Sequence, residues 1–234
     1  MKALYLSQPV REGLGSCLRP GGLSLTERMV ELLQPSRDSL ILDAGCGPGG
    51  SLTLLRQRGW RRTVGCDLHA GLLTEARQAG LPVVRADIGR LPLTDSSIDV
   101  LLCECAWNLT DRAGVLVEFA RLVKSEGRLA ITDIFARPFG LVKGAQGWPL
   151  PCCFVGATDL PTVRSLVEEA GFIIEHLEDH SRLLRQTAAE FVFAHGSLQA
   201  FWQAVTGQVA LAAAACQTAA ALRPGLFLLI ARRR

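Results

Sequence analysis

Residues 40–50 read Leu40-Ile41-Leu42-Asp43-Ala44-Gly45-Cys46-Gly47-Pro48-Gly49-Gly50, an apolar strand that runs directly into glycines. Gly45, Gly47 and Gly50 satisfy the spacing G-x-G-x-x-G. Glycines at that spacing let the backbone turn tightly and come close to a ligand. Asp67 follows at the end of the next apolar run, where an acid can grip a ribose hydroxyl. A dinucleotide site fits this much, and the pattern is not specific to one.

Outward from this turn, strands and helices alternate. The expected strands are Ser39–Asp43, Thr63–Asp67, Pro82–Ala86, Ile98–Cys103, Gly127–Phe135 and Phe172–Leu177, with a strongly apolar last strand at Gly225–Ala231. Helices are expected from Ser24, over Ser51–Arg58, Leu72–Gln78, Ala113–Val123 and Thr158–Ala170, and through residues 182–222. Alternation of this kind implies a mostly parallel α/β sheet with helices on both faces. The expected fold is Rossmann-like, with seven strands, a helical insertion before the last strand, and that strand reversed. One domain is expected over 1–234: an N-terminal arm and helix (1–38), a cofactor-binding core (39–136), and a substrate-side loop, helical insertion and terminal strands (137–234). The stretch Arg137–Pro151 is rich in proline and glycine and reads as a long loop.

Three features narrow the ligand. Asp43 stands two residues before the first glycine, giving D-x-G-x-G-x-G. A carboxylate there suits a positive amino group and repels a pyrophosphate, which dinucleotide folds set on a helix N-terminus. Asp87-Ile88 ends the third strand with an acid and an apolar residue, suited to an adenine amino group and its ring. The last apolar strand fits a sheet closed by a reversed strand.

With these pieces in order, residues 40–135 resemble the core of class I S-adenosylmethionine-dependent methyltransferases of the type 11 kind. The matching runs are L-I-L-D-A-G-C-G-P-G-G, V-G-C-D-L, V-V-R-A-D-I, I-D-V-L-L-C-E-C and G-R-L-A-I-T-D-I. The resemblance implies S-adenosylmethionine as cofactor and methyl transfer to a small molecule. It implies that Asp43, Gly45, Cys46 and Gly47 line the methionine end, that Asp67 binds the ribose, and that Leu68 packs on the adenine. Asp87 and Ile88 read the adenine edge, and Cys103 and Glu104 border the methyl-transfer region. No catalytic base is evident, and displacement at a sulfonium does not require one. The acceptor-side candidates are Cys105, Trp107 and Cys153, with Trp148, Phe154 and Trp202 available to close an acceptor pocket.

Cys105 before Asn108-Leu109, and Cys153 before Gly156-Ala157, also resemble arsenite methyltransferases. That likeness implies soft thiolate ligands for a trivalent metalloid. Upstream, only Cys17 is available as a further thiol. A third reading keeps the fold as a non-catalytic cofactor-binding module.

Composition bounds the rest. Net charge is +3, with 20% charged residues, so nothing looks like a nucleic-acid footprint. Eight cysteines with no leader-like segment and no C-x-x-C spacing fit free thiols in a reducing, cytoplasmic setting. The Ala-rich stretch 204–222 reads as a buried or dimerising helix rather than a membrane span. A homodimer is therefore entertained. The four histidines are expected to be structural or exposed, and Asp99 to sit at a strand entry.

Overall fold

The computed structural model describes residues 4–137 and 148–234. Most of the long loop expected at 137–151 lies outside the described residues. The elements are α1 (Gln8–Leu14), α2 (Gly22–Leu33), β1 (Ile41–Ala44), α3 (Gly50–Gln57), β2 (Thr63–Asp67), α4 (Ala70–Gln78), β3 (Val83–Arg85), β4 (Ile98–Glu104), α5 (Arg112–Leu122), β5 (Val123–Phe135), α6 (Leu160–Glu169), β6 (Phe172–Asp179), α7 (Ser181–His195), α8 (Leu198–Thr206), α9 (Val209–Leu222) and β7 (Gly225–Arg233).

The seven strands form one sheet in the order β3-β2-β1-β4-β5-β7-β6. β1 to β5 pair in parallel, and β7 runs antiparallel to both β5 and β6. The reversed strand is thus present, and it sits between its neighbours rather than at the edge. That position explains its composition. Leu226 to Ala231 are all fully buried, because both faces of an interior strand are covered.

Successive side chains of a strand point to opposite faces, and the core divides accordingly. Leu42, Leu101, Leu129 and Ile131 pack with α5 and α6 through Val115, Leu116, Phe119, Val163 and Val167. Ile41, Val100, Leu102 and Ala130 pack with α2 through Leu25, Met29 and Leu33. Asp99 sits at the entry of β4, where it accepts hydrogen bonds from the Leu40 N–H at 2.8 Å and from Lys124 Nζ at 2.7 Å.

Three features depart from expectation. α1 was not expected, because its seven residues carry too little apolar period. The helical stretch 182–222 is three helices, broken where Gly196 and Gly207 adopt left-handed backbone. β5 begins at Val123 instead of Gly127, with an irregular pairing to β4 near Val100. No helix among the described residues is long and apolar enough to cross a membrane.

Candidate active site

At the carboxyl ends of the parallel strands lies a cleft of about 340 Å³. Its back wall is the glycine turn. The N–H groups of Gly45 and Cys46 both donate to the Cys66 carbonyl, at 2.8 and 2.9 Å. Gly45 has φ 84°, and a Cβ there would lie 2.4 Å from the Ala106 Cβ, so glycine is required twice over. Gly47 has φ 53°, and a Cβ there would make only ordinary contacts, with Leu18 and Leu72 at 3.9 and 4.0 Å. Its N–H donates to Asp67 Oδ2 at 2.9 Å, while Asp67 Oδ1 takes the His69 N–H at 2.8 Å. Asp67 therefore holds the turn as well as facing the cleft. A carboxylate offers about four lone-pair positions, so two remain for a ligand. His69 is structural, as expected: its Nδ1 caps α4 by accepting from the Leu72 N–H.

The floor is a buried ionic knot of which only Glu104 stands out in the sequence. Arg19 Nη2 pairs with Glu104 Oε2 at 2.7 Å and also donates to Ser51 Oγ at 3.0 Å and to Thr26 Oγ1. Ser51 donates to Glu104 Oε1 at 2.6 Å. Arg19 and Glu104 are almost fully enclosed, and Arg19 Nε has no acceptor among the described residues. No period marks the Arg11–Gly22 segment, so only the need of several strand-tip carboxylates for a counter-charge could have flagged Arg19.

Asp43 stands beside this knot, 2% exposed, with no hydrogen-bond partner among the described residues. Burial pushes its carboxyl up to about 8, the neighbouring Glu104 charge adds to that, and Arg19 opposes it.

The cleft gathers most of the expected residues: Asp43, Gly45, Cys46, Gly47, Asp67, Leu68, Asp87, Ile88, Glu104 and Cys105 all line it. Leu68 is well exposed there, and Ile88 is buried. Asp87 Oδ1 also accepts the Gly89 N–H at 2.9 Å, which caps the local turn and leaves Oδ2 without a hydrogen bond among the described residues. Two expectations fail. Cys103 is fully buried on the opposite face of β4, packed with Leu101 and Ile131, because Glu104 takes the cleft side of the pleat. Trp107 is also fully buried in that core, its indole N–H donating to the Arg112 carbonyl at 3.0 Å, and lines neither cavity.

A second chamber of about 180 Å³ adjoins the cleft. Trp148, Phe154 and Trp202 do wall it, together with Phe191 and Phe201. Trp148 stacks on Phe154 at 4.6 Å and meets Trp202 edge-on at 5.9 Å. These rings come from α7, α8 and the segment after residue 147, so the insertion builds the chamber. Tyr5, Leu18, Cys105 and Leu109 line both cavities and form the portal between them.

At the portal, ligand atoms of Cys105, Cys153 and Asp133 lie within 4.8 Å of one another. Cys105 has φ 53°, a strained backbone for a residue with a Cβ. Asp133 is fully buried and accepts the N–H groups of Asn108 and Ile134 at 2.9 and 2.8 Å, and burial pushes its carboxyl up to about 7. The Cys153 thiol is pushed well up by its contact with Cys105 and by burial. Asn108 Nδ2 donates to the Ile134 and Cys153 carbonyls at 2.7 and 2.9 Å. A Cβ on Gly156 would lie 2.3 Å from the Asn108 carbonyl oxygen. Asn108 and Gly156 therefore clamp two loops together, whereas Leu109 is exposed to both cavities. Cys17 lines the cleft and is not part of this group.

Residues 42–131 match the family model of a methyltransferase domain. The methyltransferase GfsG of Streptomyces halstedii is 30% identical over 188 residues, 73% of this chain and 66% of that protein. The arsenite methyltransferase of Halobacterium salinarum is 27% identical over 143 residues, 56% of this chain and 37% of its own length. Among solved structures, phosphoethanolamine N-methyltransferase 2 of Haemonchus contortus, in complex with S-adenosyl-L-methionine, superposes with a TM-score of 0.75 at 16% identity. That match covers 96% of this chain and 56% of the other. The chain thus spans about two thirds of the first of these proteins and less of the other two.

Proposed function

We propose that this chain, which belongs to the class I S-adenosylmethionine-dependent methyltransferases, transfers a methyl group to an apolar small molecule held in the aromatic chamber. The observation that carries the reading is the portal: one set of residues, Tyr5, Leu18, Cys105 and Leu109, lines the polar cleft and the apolar chamber alike.

The cleft fits the cofactor. Asp43 is a carboxyl without a partner, suited to the ammonium of the methionine moiety. Asp67 has lone pairs left that would take the ribose hydroxyls, Asp87 has an Oδ2 that would take the adenine amino group, and Leu68 and Ile88 would cover the ring. S-adenosylmethionine supplies a methyl group on a positively charged sulfur. What the protein adds is position and dryness. The carboxylates hold the adenosyl and methionine ends, and the chamber keeps water from the acceptor. Displacement at a sulfonium disperses charge, and an apolar wall penalises a dispersed charge less than a concentrated one.

Titration calorimetry with S-adenosylhomocysteine should give one site per chain. Label from S-adenosylmethionine should pass to apolar ring compounds in preference to small polar amines. Turnover confined to polar acceptors would overturn the chamber's role.

A second reading has one observation behind it, the Cys105, Cys153 and Asp133 cluster at the portal. Two thiols there suit arsenite as the methyl acceptor. Arsenite-dependent turnover, lost in Cys105→Ser and Cys153→Ser, would favour it over the apolar acceptor. Equal arsenite binding by parent and variants would remove it.

A further inference from the structure

Asp133 is a fully buried acid near the end of β5, and among the described residues no cation pairs with it. Two backbone N–H groups hold it, those of Asn108 and Ile134, at 2.9 and 2.8 Å. Arg112 acts on it only through space, because its guanidinium donates to Thr158 Oγ1 instead. A buried charge is costly unless it is paired or coordinates a metal. The groups beside Asp133 are two thiols. Cys105 Sγ, Cys153 Sγ and an Asp133 carboxylate oxygen all lie within 4.8 Å of one another.

The three donors come from separate segments that hydrogen bonds tie together. Cys105 follows β4, with left-handed backbone at φ 53°, and its N–H donates to the carbonyl of Thr132, the residue before Asp133, at 2.7 Å. Cys153 is tied through its carbonyl, which accepts from Asn108 Nδ2 at 2.9 Å. Asn108 thus braces two of the donors, Asp133 with its main chain and Cys153 with its side chain. Outer groups of this kind orient the ligands of a metal.

We propose that Cys105, Cys153 and Asp133 bind one zinc ion, with a fourth position left on the cavity side. Zinc takes thiolate and carboxylate donors in a tetrahedron, with donor atoms roughly 3.5–3.8 Å apart, so small side-chain movements close the group on the ion. Three protein ligands and one open position are the pattern of a catalytic zinc site rather than a structural one. Asp133 seals the strand side, whereas Cys105 lines both cavities and Cys153 lines the chamber, so the ion enters from there. Binding sends the two thiol protons to solvent. The oxygen donor separates zinc from a soft metalloid, which is best served by thiolates alone. Neither Cys17 nor Cys152 belongs to the group. The site stands whichever acceptor the chamber takes.

The full chain, reduced and stripped with a chelator, is titrated with zinc in competition with a chromogenic chelator. One zinc per chain should bind. Cys105→Ser, Cys153→Ser and Asp133→Asn should each weaken it by about 100-fold or more, beyond what loss of an outer group costs. Cys216→Ser should leave it unchanged, since Cys216 lies in α9 and lines neither cavity. Cobalt in place of zinc should give the intense ligand-field bands of a tetrahedral ion and thiolate-to-cobalt charge transfer in the parent chain, a readout that needs no variant to fold. No stoichiometric zinc binding, equal zinc binding by the parent and both cysteine variants, or a cobalt spectrum without thiolate bands would overturn the site. Arsenite binding at the cysteines with no zinc binding would overturn it too, in favour of the metalloid. Methyl transfer is not the readout, so failure of the zinc site leaves the apolar acceptor standing.

Discussion

The cleft and the chamber lie side by side and are made in opposite ways. The cleft is built from the tips of neighbouring strands, and its working groups are backbone amides and the carboxylates Asp43, Asp67, Asp87 and Glu104, set by strand register. The chamber is built from rings that converge from α7, α8 and a loop, on elements that touch the sheet only at their margins. A cofactor shared by many enzymes is met by local, repeated geometry, and an acceptor particular to one enzyme by distant pieces brought together. The contrast implies that polar variants in the cleft and aromatic variants in the chamber act on different ligands.

The most damaging change should be Arg19→Met, which strands Glu104 inside the floor without its counter-charge. Removing one partner of a buried pair costs about 3–5 kcal/mol, and denaturant unfolding would read it. Next is Asp67→Ala, which deletes both the ribose contact and the anchor of the Gly47 N–H. S-adenosylhomocysteine affinity should fall by roughly 100-fold in calorimetry, on the scale of two charge-assisted hydrogen bonds. Trp202→Leu should leave that affinity within about twofold while acceptor turnover drops. A large loss of cofactor affinity in Trp202→Leu would mean that the two regions are coupled.

Asp43 gives a pH signature confined to the cleft. Its carboxyl is raised to about 8 in the folded chain, so it holds a proton at neutral pH and the ligand's ammonium favours releasing it. Affinity for S-adenosylhomocysteine should therefore rise from pH 6 to about 8 and then level, with proton release seen in buffers of different ionisation enthalpy. The unliganded protein behaves in the opposite sense. Stability associated with a raised folded pKa is present on the acid side and lost as pH rises through about 8. Asp43→Asn should flatten the affinity profile and most of that stability loss. Asp133, raised to about 7, accounts for part of the remainder. The smallest effect among the cleft variants belongs to Asp87→Asn, about three- to tenfold on S-adenosylhomocysteine, because its Oδ1 is already used by Gly89.

The same contrast explains what could be read from the residues alone. A strand tip followed by glycines, and an acid at the end of each next strand, are signals a few residues long, so Asp43, Asp67 and Asp87 were within reach. Side chains alternate along β4, so a Glu104 in the cleft sends Cys103 to the other face. Trp107 is near the portal in sequence, but the short helical turn at Trp107–Leu109 rotates it into the core. Arg19 and α1 escaped because an aperiodic arm carries no pattern, and its value lies in a partner 85 residues away. Phe191 and Phe201 depend on contacts among the insertion's three helices, and no spacing encodes those.

The position of β7 also bears on how the chain reaches this structure. The strand that lies between β5 and β6 is the last of the seven to leave the ribosome, and among the described residues β6 pairs with no other strand. Until residues 225–233 emerge, one edge of β5 and all of β6 present open ladders flanked by apolar surface. Such edges invite pairing with other chains. Synthesis halted before Gly225 should give an aggregation-prone product even though every cleft residue has been made. The nascent polypeptide therefore needs shielding until residues 225–233 thread into place.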